Sequence, residues 1–191
     1  VNALEGQFEQ LLDLSRLEVG GFAPAWTRVP LAPLFARIAG ELQPQAALRA
    51  LVLRAVPTPL AVVSDPALLE RIVRNLCCNA IRYTERGGVL LTARRRGDAV
   101  AIDIVDTGIG IAPDDCTKIF DEFYQVRAAG RSAHTGMGLG LAIVRRLAVL
   151  LQHEVNVISR VGRGSRFRVI APAAPVSRRA AIGDGCPRAS R

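Results

Sequence analysis

Residues 75–84 read NLCCNAIRYT and carry the polar pattern on which the fold assignment rests. Asn75 and Asn79 are four residues apart, so a helix places both carboxamides on one face, about 6 Å apart along its axis. Arg82 and Tyr83 extend this polar face. Two carboxamides, a guanidinium and a phenol suit a metal–phosphate group with an aromatic ring stacked nearby. An ordinary solvated helix face is an equally good interpretation of this stretch taken alone.

The same stretch belongs to a predicted helix that begins at Asp65 and runs to about residue 84. Asp65 supplies an N-cap carboxylate, and Pro66 fits the first helical position because the missing N–H is not needed there. Apolar residues recur at helical spacing opposite the asparagines, at Leu69, Ile72, Val73, Leu76, Cys77 and Ala80. We therefore expect this helix to pack one side on a core and to leave the asparagines accessible.

Short β-like runs and two further helices surround this helix in the sequence. One helix is expected to open at Pro33, and another covers residues 141–151. Apolar and β-branched runs predict strands at residues 51–56, 60–64, 89–95, 99–105, 154–160 and 166–170. The third and fourth of these strands form a hairpin that turns at Gly97. Strands packed under helices predict an α/β two-layer sandwich.

Residues 106–110 read DTGIG and follow the predicted strand at residues 99–105. The carboxylate of Asp106 can accept a hydrogen bond from an exocyclic amine, and the glycines leave room for a flat ring above the backbone. A tight turn that contains Asp-Thr-Gly is the alternative interpretation of the same residues.

Residues 136–140 read GMGLG and lead directly into the predicted helix at residues 141–151. Backbone N–H groups at such a helix N-terminus can receive phosphate. The stretch is not a Walker A loop, because no Gly-Lys-Ser/Thr follows, and it also fails the dinucleotide fingerprint G-x-G-x-x-G.

Taken together, these motifs resemble those of sensor histidine kinases. Residues 75–84 are similar to the N box of that family, 106–111 to the G1 box, 120–125 to the F box, 136–141 to the G2 box, and 159–167 to the segment with the last glycine motif. The motifs stand in the family's order, and the resemblance covers about residues 31–169. The wording of the F box and of the helix after the G2 box is most similar to the hybrid sensor kinases, which often carry a receiver domain further on.

The resemblance implies the Bergerat fold, a mixed β-sheet covered by helices on one face, with ATP between the layers under a mobile lid at residues 126–135. It implies that Asp106 holds the adenine amino group and that Gly110 lies at the ring. It also implies that Asn79 coordinates Mg²⁺ and that Tyr83 flanks the nucleotide.

The resemblance also implies that Asn75 lies near the phosphates and that Arg82 reaches one of them, so these two residues are the expected catalytic residues. The glycines of the G2 box would wrap the phosphates. The full set of residues expected to bind the nucleotide is Asn75, Asn79, Arg82, Tyr83, Asp106, Gly108, Gly110, Ile111, Phe120, Gly136, Gly138, Leu139, Gly140, Leu141 and Ser165.

The activity that the resemblance implies is transfer of the ATP γ-phosphate to a histidine, for relay to an aspartate of a response regulator or receiver domain. ATP-hydrolysing members of the same superfamily, such as gyrase, mismatch-repair and chaperone subunits, place a glutamate where Asn75 stands. Because an asparagine cannot serve as a general base, this position favours a protein-histidine kinase over a hydrolase. An ATP-binding module without transfer activity is the other alternative.

Three segments are expected along the chain. Residues 1–21 resemble the C-terminal part of the second dimerisation helix, residues 22–171 form the ATP-binding catalytic domain, and residues 172–191 are a disordered tail or linker. Neither His134 nor His153 is followed by the acidic residue and proline of the family's phosphoacceptor. We therefore expect the acceptor upstream, on a dimerisation domain that makes the whole protein a homodimer, and a fragment unable to phosphorylate itself.

Composition narrows the partners and the location. The net charge is +8, but the arginines are scattered without aromatic interleaving, so no nucleic-acid partner is expected. No apolar run approaches the roughly eighteen residues of a membrane span, so no membrane contact is expected of this fragment. The four cysteines show no metal-ligand spacing. A cytoplasmic location is expected, either free or as the cytoplasmic part of a membrane-anchored sensor.

Overall fold

The computed structural model describes residues 23–125 and 138–175, and its elements surround a single core. The helices are α1 (Leu31–Leu48), α2 (Pro66–Tyr83) and α3 (Gly140–Leu150). The strands are β1 (Thr27–Pro30), β2 (Val52–Ala55), β3 (Ala61–Ser64), β4 (Gly88–Arg96), β5 (Ala99–Asp106), β6 (Glu154–Arg160) and β7 (Gly164–Pro172). Two 3₁₀ turns, Pro113–Asp115 and Lys118–Phe120, lie between β5 and α3.

Helix α2 begins where its sequence predicts. Asp65 Oδ1 accepts hydrogen bonds from the backbone N–H groups of Ala67 and Leu68, at 2.9 and 3.0 Å. Asp65 Oδ2 accepts from Ala25 N at 2.8 Å, which ties the start of the described chain to the same cap. All six residues predicted for the apolar face of α2 are buried. The cap and the apolar stripe together fix which face of α2 remains available for a site.

The main sheet has five strands in the order β2-β4-β5-β7-β6. Strand β2 pairs in parallel with β4, whereas the other neighbours are antiparallel, so the sheet is mixed. Strands β1 and β3 form a separate antiparallel pair, and Val62 of β3 makes a β-bridge to Ala173 just after β7.

The inner face of the main sheet forms the core with the helices. In β5, Ile102 and Ile104 stand opposite Val169 and Phe167 of β7, and all four side chains are buried. Helix α2 contacts β4 and β5, and it also packs against α1 and α3. The predicted α/β two-layer sandwich, with a mixed sheet under helices, is confirmed.

Three differences from the sequence prediction bear on how the domain is packed. Helix α1 begins at Leu31, two residues before the predicted start at Pro33. Pro33 fits within the first turn because the first N–H groups of a helix need no intrahelical partner. Strand β1 was not among the predicted strands, and its identity as a strand depends on pairing with β3. Strand β7 includes Pro172, and Ala174 N donates to Ala61 O, so the packed domain continues past residue 171.

Two predicted segments, the dimerisation helix at residues 1–21 and the lid at residues 126–135, lie outside the described residues, and so does the predicted tail from residue 176 onward. Among the helices that the structure describes, none combines the length and the apolar character that a bilayer crossing requires.

Candidate nucleotide site

A cavity of about 90 Å³ opens between α2, the end of β5, the start of β7 and α3. Seven residues predicted to bind nucleotide line it: Asn79, Tyr83, Asp106, Gly110, Ile111, Leu141 and Ser165. These residues come from four separate motifs of the sequence. The fold therefore brings the N box, the G1 box, the G2 box and the last glycine motif to one place.

Asp106 lies at the end of β5 and points its carboxylate into this cavity. Its Oδ1 atom accepts hydrogen bonds from Gly108 N at 2.8 Å and from Ser165 N at 3.2 Å. Within the described residues, Oδ2 has no hydrogen-bond partner. Burial raises the pKa of the Asp106 carboxyl, and the two backbone hydrogen bonds oppose this rise. Oδ2 is therefore an acceptor held ready for a donor in the cavity.

The glycines of the G1 box allow backbone segments to approach each other closely. A Cβ atom on Gly108 would overlap the carbonyl oxygen of Tyr83. Gly110 has a φ of +70°, and a Cβ atom there would overlap the carbonyl oxygen of Arg160. Only Gly110 of these two lines the cavity. The contribution of Gly108 is to pack the loop on α2 and to give its N–H to Asp106.

The other side of the cavity is formed by Asn79 and the start of α3. A Cβ atom on Gly140 would lie 3.7 Å from Asn79 Nδ2 and 3.8 Å from Asn79 Oδ1, so the carboxamide faces the first turn of α3. Leu139, at the N-cap position, is buried and its side chain cannot cap the helix. Within the described residues, no side chain caps the first N–H groups of α3 beside Asn79.

Asn75, Arg82 and Phe120 do not line this cavity, although all three were predicted to bind nucleotide. Asn75 and Arg82 are half-buried on α2, on either side of Asn79. The Phe120 ring packs edge-on against Phe167, with ring centroids 6.5 Å apart, and Phe167 is the residue that reaches the cavity. Contact between Phe120 and the cavity is therefore indirect.

The segment that carries the G2 box is described only from Gly138 onward, so Gly136 lies outside the described residues. Gly138 has a φ of +71°, and a Cβ atom there would lie 2.9 Å from backbone atoms of Phe123 and Tyr124. The Tyr124 hydroxyl donates to Asp115 Oδ1 at 2.6 Å, which anchors this part of the chain to the first 3₁₀ turn.

Sequence reasoning missed six residues that also line the cavity: Ala80, Ile109, Ile119, Tyr124, Gln125 and Phe167. Five of them stand inside the motifs, so the motifs contained a signal for these five: Ala80 in the N box, Ile109 in the G1 box, Tyr124 and Gln125 in the F box, and Phe167 in the last glycine motif. Ile119 is buried by a 3₁₀ turn that the sequence reading did not assign.

The family profile described as "Histidine kinase-, DNA gyrase B-, and HSP90-like ATPase" matches residues 64–175, which include every strand and helix that forms the cavity. The chain belongs to this family.

The relatives within this family include sensor histidine kinases. Sensor histidine kinase AtsR of Burkholderia thailandensis is 36% identical over 89% of this chain and 29% of its own length. Sensor-like histidine kinase SenX3 of Mycobacterium tuberculosis is 34% identical over 90% of this chain and 42% of its own length. The structure of full-length ShkA in complex with AMPPNP matches with a TM-score of 0.77 and 32% identity, over 90% of this chain and 36% of ShkA. The chain thus spans less than half of each of these proteins.

Proposed function

We propose that this chain binds ATP with Mg²⁺ and transfers the γ-phosphate to a histidine on a dimerisation domain. The observation that carries this proposal is one cavity shared by Asp106, Asn79 and Leu141, the second residue of α3. Among the residues that the structure describes, it has a carboxylate oxygen without a partner on one side and uncapped helix N–H groups on the other. An acceptor for an amine and a receptor for phosphate match the two ends of an adenine nucleotide.

Adenine is proposed to bind at the end of the cavity formed by Asp106. Its exocyclic amine donates to Asp106 Oδ2, the carboxylate oxygen with no partner among the described residues. Ile111 and Leu141 supply apolar surface for the ring, and Tyr83, which is 37% exposed, flanks the nucleotide from α2. A base that presents a carbonyl oxygen to Oδ2 is rejected, because two acceptors would then face each other in a buried site.

The phosphates are proposed to lie between Asn79 and the first turn of α3. Mg²⁺ fits this end, because it prefers oxygen ligands and commonly binds through one protein ligand, phosphate oxygens and water. Asn79 Oδ1 is such a ligand and faces Gly140. Among residues 23–125 and 138–175, no group of three His, Cys, Asp or Glu is placed to hold a metal without a nucleotide. The bound ion neutralises charge on the phosphates during transfer.

Transfer to a protein acceptor is favoured over hydrolysis by the amide at position 75. Asn75 lies one helical turn before Asn79 and is half-buried, where a hydrolase needs a carboxylate to activate water. We assign Asn75 and Arg82 to the phosphate end, with Arg82 drawn to the charge of a bound nucleotide. Positioning and charge neutralisation then provide the catalysis.

The partners follow from this activity. The chain is proposed to work with its own dimerisation domain, in a homodimer, and to supply phosphate for an aspartate of a response regulator or receiver domain. A cytoplasmic location is proposed, since ATP is available there. AtsR and SenX3 are named as sensor histidine kinases, which supports these assignments.

The decisive experiment measures two quantities on the same protein. Binding of a fluorescent ATP analogue is titrated with and without Mg²⁺, and radiolabelled γ-phosphate is followed onto a dimerisation domain of a relative supplied in trans. We expect Mg²⁺-dependent binding and a labelled histidine. Asn79→Ala should lower Mg²⁺-dependent affinity about 100-fold, because it removes the protein ligand of the ion and a contact at the phosphates.

Asn156→Ala is the matched control, because the Asn156 side chain lies on the outer sheet face and, among the described residues, bonds only to Glu154. It should bind ATP as the unmodified chain does. Binding without any labelled histidine would support a nucleotide-binding module instead. Release of free phosphate in the absence of an acceptor would support a hydrolase.

A further inference from the structure

Ser159 lies on the inner face of β6, directly opposite Ser165 of β7 in the register of the two strands. The two hydroxyl oxygens are 2.9 Å apart. Ser159 Oγ also accepts a hydrogen bond from Ile111 N at 2.8 Å and lies 3.0 Å from the carbonyl oxygen of Gly164. Ser159 does not line the cavity, but both Ser165 and Ile111 do. Ser159 therefore reaches the proposed adenine position only through Ser165 and Ile111.

Two arrangements of hydrogen bonds are possible for the hydroxyls of Ser159 and Ser165, because each hydroxyl has one proton to donate and two lone pairs that can accept. In the first, Ser159 donates to the carbonyl oxygen of Gly164, and Ser165 donates to Ser159. Ser165 then offers only lone pairs to the cavity. In the second, Ser159 donates to Ser165, and the Ser165 proton is free to point into the cavity. Ile111 N donates to Ser159 in both cases and holds its oxygen in place.

These arrangements suit different ligands. Adenine presents its exocyclic amine, a donor, next to ring nitrogen N1, which is only an acceptor. Asp106 Oδ2 takes the amine, so the neighbouring group that meets N1 must be a donor. Ser165 is buried, lines the cavity and gives its own backbone N–H to Asp106 Oδ1, so its hydroxyl lies beside that position. Only the second arrangement gives Ser165 a proton for N1.

We propose that Ser159 is a positioning residue that sets Ser165 as a hydrogen-bond donor to adenine N1. On nucleotide binding, the Ser159 proton turns from the carbonyl oxygen of Gly164 to Ser165 Oγ, and Ser165 directs its own proton at N1. The selection of adenine then rests on a charged acceptor, Asp106, beside a donor whose direction is fixed from β6. This inference rests on the proposed function, because it requires an adenine nucleotide in the cavity.

The test compares two nucleotides that differ only at N1: ATP and 1-deaza-ATP, in which a C–H group replaces this nitrogen. Ser159→Ala should weaken ATP binding about three- to tenfold, the size of one neutral hydrogen bond. It should change the affinity for 1-deaza-ATP less than about twofold, because that ligand has no acceptor for Ser165. In a Ser165→Ala background, Ser159→Ala should likewise have little further effect on ATP.

Two variants serve as controls. Ser159→Thr keeps the hydroxyl and should restore discrimination between the two nucleotides. Ser64→Ala removes a buried hydroxyl that is bonded to His153, at the opposite end of β6 from Ser159, and should leave both affinities unchanged.

Equal losses for ATP and 1-deaza-ATP in Ser159→Ala would overturn the inference, because they would show that Ser159 only supports the loop at Ile111. Additive losses in the double variant would overturn it as well. An unmodified chain that binds neither nucleotide would instead contradict the proposed function. The two failures are therefore distinguishable.

Discussion

Two polar clusters, each built around a buried group, differ in what their unpaired atoms face. The cavity cluster consists of Asp106, Ser159 and Ser165, and the edge cluster consists of Ser64, His153 and Trp26. Asp106 and His153 are each only 6% exposed, so burial alone does not distinguish them. Asp106 keeps a free oxygen at a cavity lined by residues of four motifs, whereas His153 Nδ1 is enclosed without a hydrogen-bond partner among the described residues.

The contacts of the edge cluster are structural. His153 Nε2 lies 2.9 Å from Ser64 Oγ, and the Trp26 ring packs edge-on at a centroid distance of 6.2 Å. These contacts join the start of β6 to β3 and to the chain before β1. The comparison teaches that a buried polar group indicates a binding site when its spare hydrogen-bonding capacity faces a cavity. Where that capacity is enclosed by protein, the unpaired group instead lowers the free energy of unfolding.

Of the predictions that test this difference between the clusters, the one with the largest expected effect concerns Asp106 in the cavity cluster. Asp106→Asn keeps an oxygen at Oδ1 for Gly108 and Ser165 but converts the other oxygen into an amide donor. Two donors, the new amide and the adenine amine, then face each other. We expect ATP affinity to fall about 100-fold, or about 2.7 kcal/mol, measured by fluorescence titration.

The thermal midpoint of Asp106→Asn should stay within a few degrees of the unmodified protein, because its backbone hydrogen bonds are retained. If the variant loses stability but keeps its ATP affinity, Asp106 has a structural role like that of His153. The proposed difference between the two clusters would then be wrong.

The edge cluster should respond through stability, and pH is the means to test it. Burial lowers the pKa of His153 to about 4 from an unfolded value near 6.5, so below pH 6.5 the unfolded chain binds a proton that the folded chain does not. Stability is therefore lost as the pH falls from about 6.5 towards 4. We expect a loss of about 2 kcal/mol between pH 7.5 and 5.0 from this group alone, measured by urea unfolding.

His153→Gln isolates that contribution, because the carboxylates titrate equally in both proteins and cancel in the difference. The variant should lose about 2 kcal/mol less than the unmodified protein over the same pH interval. If the two pH profiles are parallel, His153 titrates normally and its burial carries no cost. ATP affinity at pH 7.5 should be the same in both proteins.

The sequence predicted the helix and the motif residues of the site, but it did not predict the contacts between distant strands. Helix α2 and its polar face follow from local signals, namely the Asp65 cap, Pro66 and the apolar spacing. Asp106 and Ser165 were placed in the site by motif. The contact between Ile111 and Ser159 joins residues 48 positions apart and depends on the register of β6 against β7, which no local pattern specifies. The pairing of Ser64 with His153 depends on the packing of a separate two-stranded sheet in the same way.

The smallest expected effect comes from Tyr124, a cavity residue outside both clusters. Its hydroxyl donates to Asp115 Oδ1 at 2.6 Å, and this hydrogen bond is the first cause of the raised pKa of the Tyr124 phenol. Tyr124→Phe keeps the ring in the cavity but releases its anchor on the first 3₁₀ turn. We expect ATP affinity to fall about two- to fivefold with unchanged unfolding, by the same titrations. Asp115→Asn, which keeps an acceptor, should cause less loss than Tyr124→Phe. If Tyr124→Phe lowers the free energy of unfolding but leaves ATP affinity unchanged, a residue that lines this cavity has a purely structural role. That result would contradict the conclusion that polar groups facing the cavity serve binding.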